Sequence, residues 1–128
     1  MSEKIDWDPI RALARRVIRE GAPLVLSDDV RALLLHTARE VGISDADAEQ
    51  ALATEEGALE LLRESSRRIT DGSNRLMDAL HRMYRHQKAG DFDSARQEMR
   101  DVLAVEVVPR YRETAQGQLA LLCQGPEG

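Results

Sequence analysis

The sequence predicts an all-α protein, on three observations. Apolar residues recur at intervals of three and four along almost the whole chain, and no run of alternating apolar and polar residues is long enough to make a strand. Capping residues and glycine stops punctuate these stretches at helix-length intervals. A heptad of apolar residues, Leu62, Ile69, Leu76 and Met83, runs through the middle of the chain in constant register.

Asp8 has the form of an N-cap with Pro9 at the first helical position. Ile10, Leu13, Val17 and Ile18 then make an apolar stripe that should end at Gly21, with Pro23 just beyond. After the apolar link Leu24-Val25-Leu26, Ser27 caps a second helix with Asp28 and Asp29 in its first turn, where the helix dipole favours anions. Its buried face is Val30, Leu33, Leu34, Thr37 and Val41, and Gly42 stops it. Ser44, with Asp47 three positions on, resembles a capping box for a short helix carrying Ala48, Ala51 and Leu52, and Thr54 can cap the next. Ile10-Arg11-Ala12-Leu13 is echoed by Val30-Arg31-Ala32-Leu33. Similar composition alone produces such an echo, and a solenoid needs at least three units, so a helical repeat is the lesser reading.

Between Glu55 and Ala89 the string Asp71-Gly72-Ser73-Asn74 would ordinarily be a turn. The half-heptad positions Ser65/Ser66, Gly72/Ser73 and Ala79/Leu80 keep the seam in register across it, which a loop has no reason to do. The expectation is one continuous helix about 50 Å long at 1.5 Å per residue. Gly72 should cost it about 1 kcal/mol against alanine while letting a neighbour approach closely. Gly90 stops this helix, and Asp91 or Asp93 starts another bearing Phe92, Ala95, Met99, Val102 and Leu103. Pro109, after Val107-Val108, kinks or restarts the last helix ahead of Tyr111, Ala115, Leu119 and Leu122. The tail, residues 124–128, should be frayed. The architecture expected is a single domain over residues 1–128. Its short helices, residues 8–53, pack on a long antiparallel helical hairpin, residues 55–122, made by 55–89 and 91–122.

Composition narrows the function. The chain has 128 residues, 32% of them charged, a formal net charge of −5 and no uncharged apolar stretch long enough to span a membrane. Its opening, MSEKIDWDPI, lacks the apolar core of a signal peptide, so a cytoplasmic location is expected. Net negative charge argues against a nucleic-acid binder, though not against a local basic patch. Sixteen arginines against two lysines, Lys4 and Lys88, suggest a GC-rich genome before any phosphate-binding role. The lone Cys123 can form no internal disulfide and has the bland reading of a small apolar residue.

No reaction centre is legible. His81 and His86 are five apart and project from different faces of a helix, while Asp78 and His81 share a face but make too weak a pair for a metal site. His36 borders the apolar stripe of the second helix and is expected at a boundary. Asp45-Ala46-Asp47-Ala48-Glu49 with Glu56 imitates calcium-loop spacing but has Gln50 where the loop requires glycine. Phosphate loops, nucleophile elbows and zinc-protease motifs are missing, so no catalytic residue, metal or cofactor is expected.

Charge segregation is the feature that asks for a partner. Residues 45–64 hold seven acids against Arg63 alone, and between 65 and 88 the sign reverses. Arg68, Arg75 and Arg82 repeat every seven residues beside the apolar seam, as flanking charges do in helices that select partners. With Gly72 and Ser73 they form the candidate interface, for an acidic protein partner or a homodimer. The competing reading is a solvated ridge held by Asp71 with Arg75 and Asp78 with Arg82. Gly90-Asp91-Phe92-Asp93-Ser94-Ala95, Met99 and Leu103 look like half of a tetratricopeptide hairpin, but the matching Trp and Leu-Gly pattern is missing from the preceding helix. The expected function is a non-catalytic protein-interaction or regulatory module, self-associating through the hairpin. The alternative is a small-ligand sensor or carrier, with a pocket between the N-terminal helices and the hairpin near Trp7 and Tyr84.

Several long strings carry a family resemblance: Ile5-Asp6-Trp7-Asp8-Pro9-Ile10-Arg11-Ala12-Leu13-Ala14-Arg15-Arg16-Val17, Gly21-Ala22-Pro23-Leu24, Ile43-Ser44-Asp45, Ala48-Glu49-Gln50-Ala51-Leu52, Met83-Tyr84-Arg85, Gly90-Asp91-Phe92-Asp93 and Val108-Pro109-Arg110-Tyr111-Arg112. Together they resemble the DUSAM domain, a family of small paralogous proteins of myxobacteria, over roughly residues 3 to 120. The resemblance implies a cytoplasmic protein of a paralogue-rich genome. It carries over no activity, ligand or functional residue.

Overall fold

A computed structural model describes residues 5–124, and of the expected frayed tail all but Gln124 lies outside the described residues. The described residues form helices and connecting turns, with no strand among them. They divide into two compact units between Arg68 and Ile69.

The first unit opens with α1, Asp8–Ala14. Its N-cap is Trp7, not the expected Asp8, and Asp6 Oδ1 accepts a hydrogen bond from the Asp8 N–H at 3.0 Å. The chain continues not as α-helix but as a π-helical turn, Arg15–Arg19, before Gly21 ends it at φ +75°. That wider turn breaks the 3.6-residue period on which the sequence stripe depends. Ile10 and Leu13 are buried accordingly, whereas Val17 is half-buried and Ile18 is 39% exposed.

Capping chemistry fixes the next three helices. Ser27 Oγ accepts from Val30 N at 3.2 Å to start α2, Asp28–Glu40, which Gly42 terminates at φ +84°. Ser44 Oγ accepts from Asp47 N at 3.1 Å to start α3, Asp45–Ala51, and Thr54 Oγ1 accepts from Gly57 N at 2.9 Å at the start of α4, Glu55–Lys88. Leu34, Ala38, Val41, Ala48, Leu52, Ala58 and Leu62 close the core of this unit with Ile10. Arg39 grips Asp45 through two hydrogen bonds, and this exposed pair holds the Asp45 carboxyl below the usual carboxylate range. His36 stands out in solvent, 71% exposed, 3.4 Å from Glu40, and not at a boundary.

α4 is unbroken through Gly72, 34 residues in all. Leu62, Ile69, Leu76 and Met83 are buried, as the seam requires. Gly90, at φ +77°, turns the chain, and Asp91 caps α5, Phe92–Val105, by accepting from Ser94 N at 3.1 Å and from the Ser94 hydroxyl at 2.7 Å. Those bonds favour the ionised form and lower the pKa of Asp91. The chain then restarts at Pro109 as α6, Pro109–Cys123. α6 runs back along α5, for Arg96 Nη1 donates to the Leu122 carbonyl at 3.2 Å while Arg112 Nη1 donates to that of Leu103 at 2.6 Å. Met83, Ala95, Met99, Val102, Val108 and Ala115 fill the core of this second unit.

Candidate functional site

The five residues singled out in the sequence are placed as follows. Arg68 donates from Nε to Glu64 Oε2 at 2.8 Å and from Nη1 to the Val41 carbonyl at 3.0 Å, so it closes the C-terminal end of α2 within the first unit. Arg75 donates from Nη1 to Glu106 Oε1 at 2.7 Å, across to a carboxylate that is 1% exposed. Arg82 donates from Nε to Glu98 Oε1 at 2.8 Å, a bond that strengthens its hold on its proton. The local pairs Asp71–Arg75 and Asp78–Arg82 give way to these cross-helix pairs because α5 and its exit bring Glu98 and Glu106 within reach. Ser73 is half-buried.

Gly72 does receive a close neighbour, and that neighbour is Tyr111 of the same chain. A Cβ at Gly72 would come within 2.5 and 2.7 Å of two Tyr111 ring carbons and 3.0 Å of Glu106 Oε1. The Tyr111 hydroxyl donates to the Ile69 carbonyl at 2.9 Å, which fixes the ring. Glu106 Oε2 accepts from the backbone N–H groups of Val107 and Val108 at 3.1 and 3.0 Å, and the Glu106 carbonyl accepts from Arg112 at 3.0 Å. Arg75, Glu106, Tyr111 and Arg112 thus form a hydrogen-bonded joint between α4 and the α5–α6 connection, with the Tyr111 ring packed close over Gly72. Glu106 was not singled out in the sequence. Its signal was a lone acid inside the apolar run Val105-Glu106-Val107-Val108, just ahead of Pro109.

With the arginines engaged, the open surface of α4 lies one residue further round. Ser73, Met77, Leu80, Tyr84 and Gln87 are spaced by four, three, four and three, which puts them on one stripe. Met77 is 64% exposed and Tyr84 52%, with Leu80 half-buried between them. His81, Arg85 and Lys88 lie exposed beside the stripe, without an ion-pair partner among the described residues. Trp7, the other aromatic of the expected ligand pocket, is half-buried in the first unit and donates to Glu40 Oε1 at 3.2 Å.

Among the described residues no group of three or more His, Cys, Asp or Glu side chains is arranged to hold a metal ion. Nor is any described helix long and apolar enough to cross a membrane. Fold and surface together define an all-helical protein with an exposed apolar stripe on its longest helix. The chain belongs to the family described as a protein of unknown function (DUF2379), whose model matches residues 5–122. No curated protein and no solved structure matches it.

Proposed function

We propose that this protein is a non-catalytic interaction module that docks a second copy of itself along the Met77–Tyr84 stripe of α4. The reading is carried by the exposure of two large side chains, Met77 and Tyr84, seven residues apart on one helix face with Leu80 between them. Heptad spacing is what a facing helix can interdigitate with. Methionine adapts to irregular partners, and tyrosine supplies a large apolar body at low entropic cost.

Antiparallel pairing suits the residues better than parallel. It sets small Ser73 of one copy against large Tyr84 of the other, and keeps the His81, Arg85 and Lys88 groups of the two copies apart. The stripe from Ser73 to Gln87 is about 20 Å long at 1.5 Å per residue, so the contact belongs to the small, weak class of interfaces. A dimer forming at micromolar concentration or above is expected. The DUSAM likeness, which implies a paralogue-rich genome and a cytoplasmic setting, suits an interaction module.

Light scattering coupled to size-exclusion chromatography across a concentration series tests this. Wild type is expected to shift from monomer to dimer, and Met77→Glu/Tyr84→Glu, which alters exposed positions, to stay monomeric with unchanged circular dichroism. A wild type that remains monomeric into the hundreds of micromolar overturns the proposal, as does a variant that dimerises equally well. Exchanging Arg68, Arg75 and Arg82 is the wrong test, because Arg75 neutralises a buried carboxylate and its loss reports on folding.

A further inference from the structure

We infer that a cleft in the first unit, independent of the α4 stripe, binds an extended basic-apolar peptide segment of another protein. The cleft has a volume of about 640 Å³, within the usual range for binding pockets. Val17 of the π-helical turn, Leu24 and Val25 of the connection to α2, and Leu59 of α4 supply apolar walls, and Glu55 and Glu56 of the first turn of α4 line it as well.

Two observations identify the occupant. The first is the backbone of Leu24–Leu26. Ser27 N donates to the Val25 carbonyl at 3.0 Å, and among the described residues no other hydrogen bond is made by the backbone of these three. Their side chains are half-buried, 67% exposed and half-buried in turn, the period of an extended chain. An extended apolar segment with unused N–H and C=O groups beside a cleft is what a peptide strand adds to, with backbone bonds for affinity and alternate side chains for specificity.

The second is charge. Among the described residues Glu55 and Glu56 have no ion-pair partner, whereas Arg63, the one described cation lining the cleft, is already met by Glu60 at 3.0 Å. Acids outnumber arginines thirteen to nine in residues 5–68, which contain no lysine, so this unit as a whole carries net negative charge. An acidic peptide is disfavoured there and a purely apolar one leaves the carboxylates unanswered. Lysine or arginine alternating with valine or leucine satisfies both the walls and the acids.

The probe is a fluorescein-labelled octapeptide in which lysine alternates with valine, titrated by anisotropy and by amide NMR spectra of the 15N-labelled protein. Saturable binding is expected, with amide shifts centred on Gly21–Leu26. The same peptide with glutamate for lysine should bind at least about tenfold more weakly, and Glu55→Gln/Glu56→Gln should weaken the lysine peptide by about fivefold or more. Asp78→Asn/Glu113→Gln removes the same charge from the second unit and should leave affinity within about twofold. Lack of saturation at millimolar peptide, amide shifts elsewhere, or equal weakening by the two charge-removing pairs each overturns the inference. Because Met77→Glu/Tyr84→Glu lies in the other unit, it should leave peptide binding intact, and failure of the dimer model says nothing about this cleft.

Discussion

Two of the segments that join helices in this protein, residues 21–27 ahead of α2 and residues 106–108 between α5 and α6, are built in opposite ways. At Glu106 the carboxylate takes the two N–H groups that follow it and the Arg75 guanidinium, while Arg112 takes the carbonyl. Val108 is fully buried there. In the earlier connection the backbones of Leu24 and Leu26 make no hydrogen bond among the described residues, and Val25 is 67% exposed. A charged residue has become an internal strut, and an apolar one has been left outside. Burial of a polar group is tolerated when every lone pair and proton is matched, so the later connection is built as a joint, while the earlier one leaves an apolar side chain in solvent.

The contrast breaks first at the joint. Arg75→Ala is expected to destabilise the protein by about 3 kcal/mol, because it strips the charged partner from a buried carboxylate. Urea unfolding followed by circular dichroism reads the loss as a lower midpoint at unchanged slope. A loss under about 1 kcal/mol, typical of exposed ion pairs, would make the joint an ordinary surface contact. Gly72→Ala should come next. At an open helix position the change gains up to about 1 kcal/mol. Here the new methyl meets a Tyr111 ring held by its hydroxyl, so overpacking reverses the sign and a net loss of about 1–2 kcal/mol is expected. Gly117→Ala in α6, where an added Cβ meets nothing within 4 Å, serves as the reference and should stabilise. Equal effects at the two glycines would remove the case for a close approach at Gly72.

How much of this was legible in the sequence depended on whether the deciding interaction was local. Ser27, Ser44, Thr54 and Asp91 each accept from an N–H three residues on, and all four follow from local residue type. Continuity of α4 followed from register. The π-helical turn did not, since it inserts a residue into the period without marking itself in composition. Pairing across helices was equally hidden. The rise of Arg75 and Arg82 beside the seam predicts charges on a flank, but their partners, Glu106 and Glu98, lie 31 and 16 residues away and are chosen by packing. The stripe was missed for a related reason. Gly72/Ser73 and Ala79/Leu80 belong to two adjacent heptad seams about 100° apart on an α-helix, and periodicity alone cannot say which one the bundle buries. The structure buries Gly72 and Ala79 and leaves Met77 and Tyr84 out.

The finest test of the contrast makes one chemical change in both connections. Val108→Ala removes two methyl groups from a site with no exposure, in a unit whose core side chains are themselves buried. A loss of about 2 kcal/mol follows from transfer plus cavity terms. Val25→Ala removes the same two groups from a side chain 67% exposed, and stability should stay within about 0.5 kcal/mol of wild type. Affinity for the lysine–valine peptide should move the other way, falling with Val25→Ala and holding with Val108→Ala under conditions where both variants are folded. A Val25 variant that unfolds as easily as the Val108 variant would mean that the earlier connection is a second joint, that its apolar residues are already occupied by the fold, and that the cleft beside it has nothing left to offer a partner.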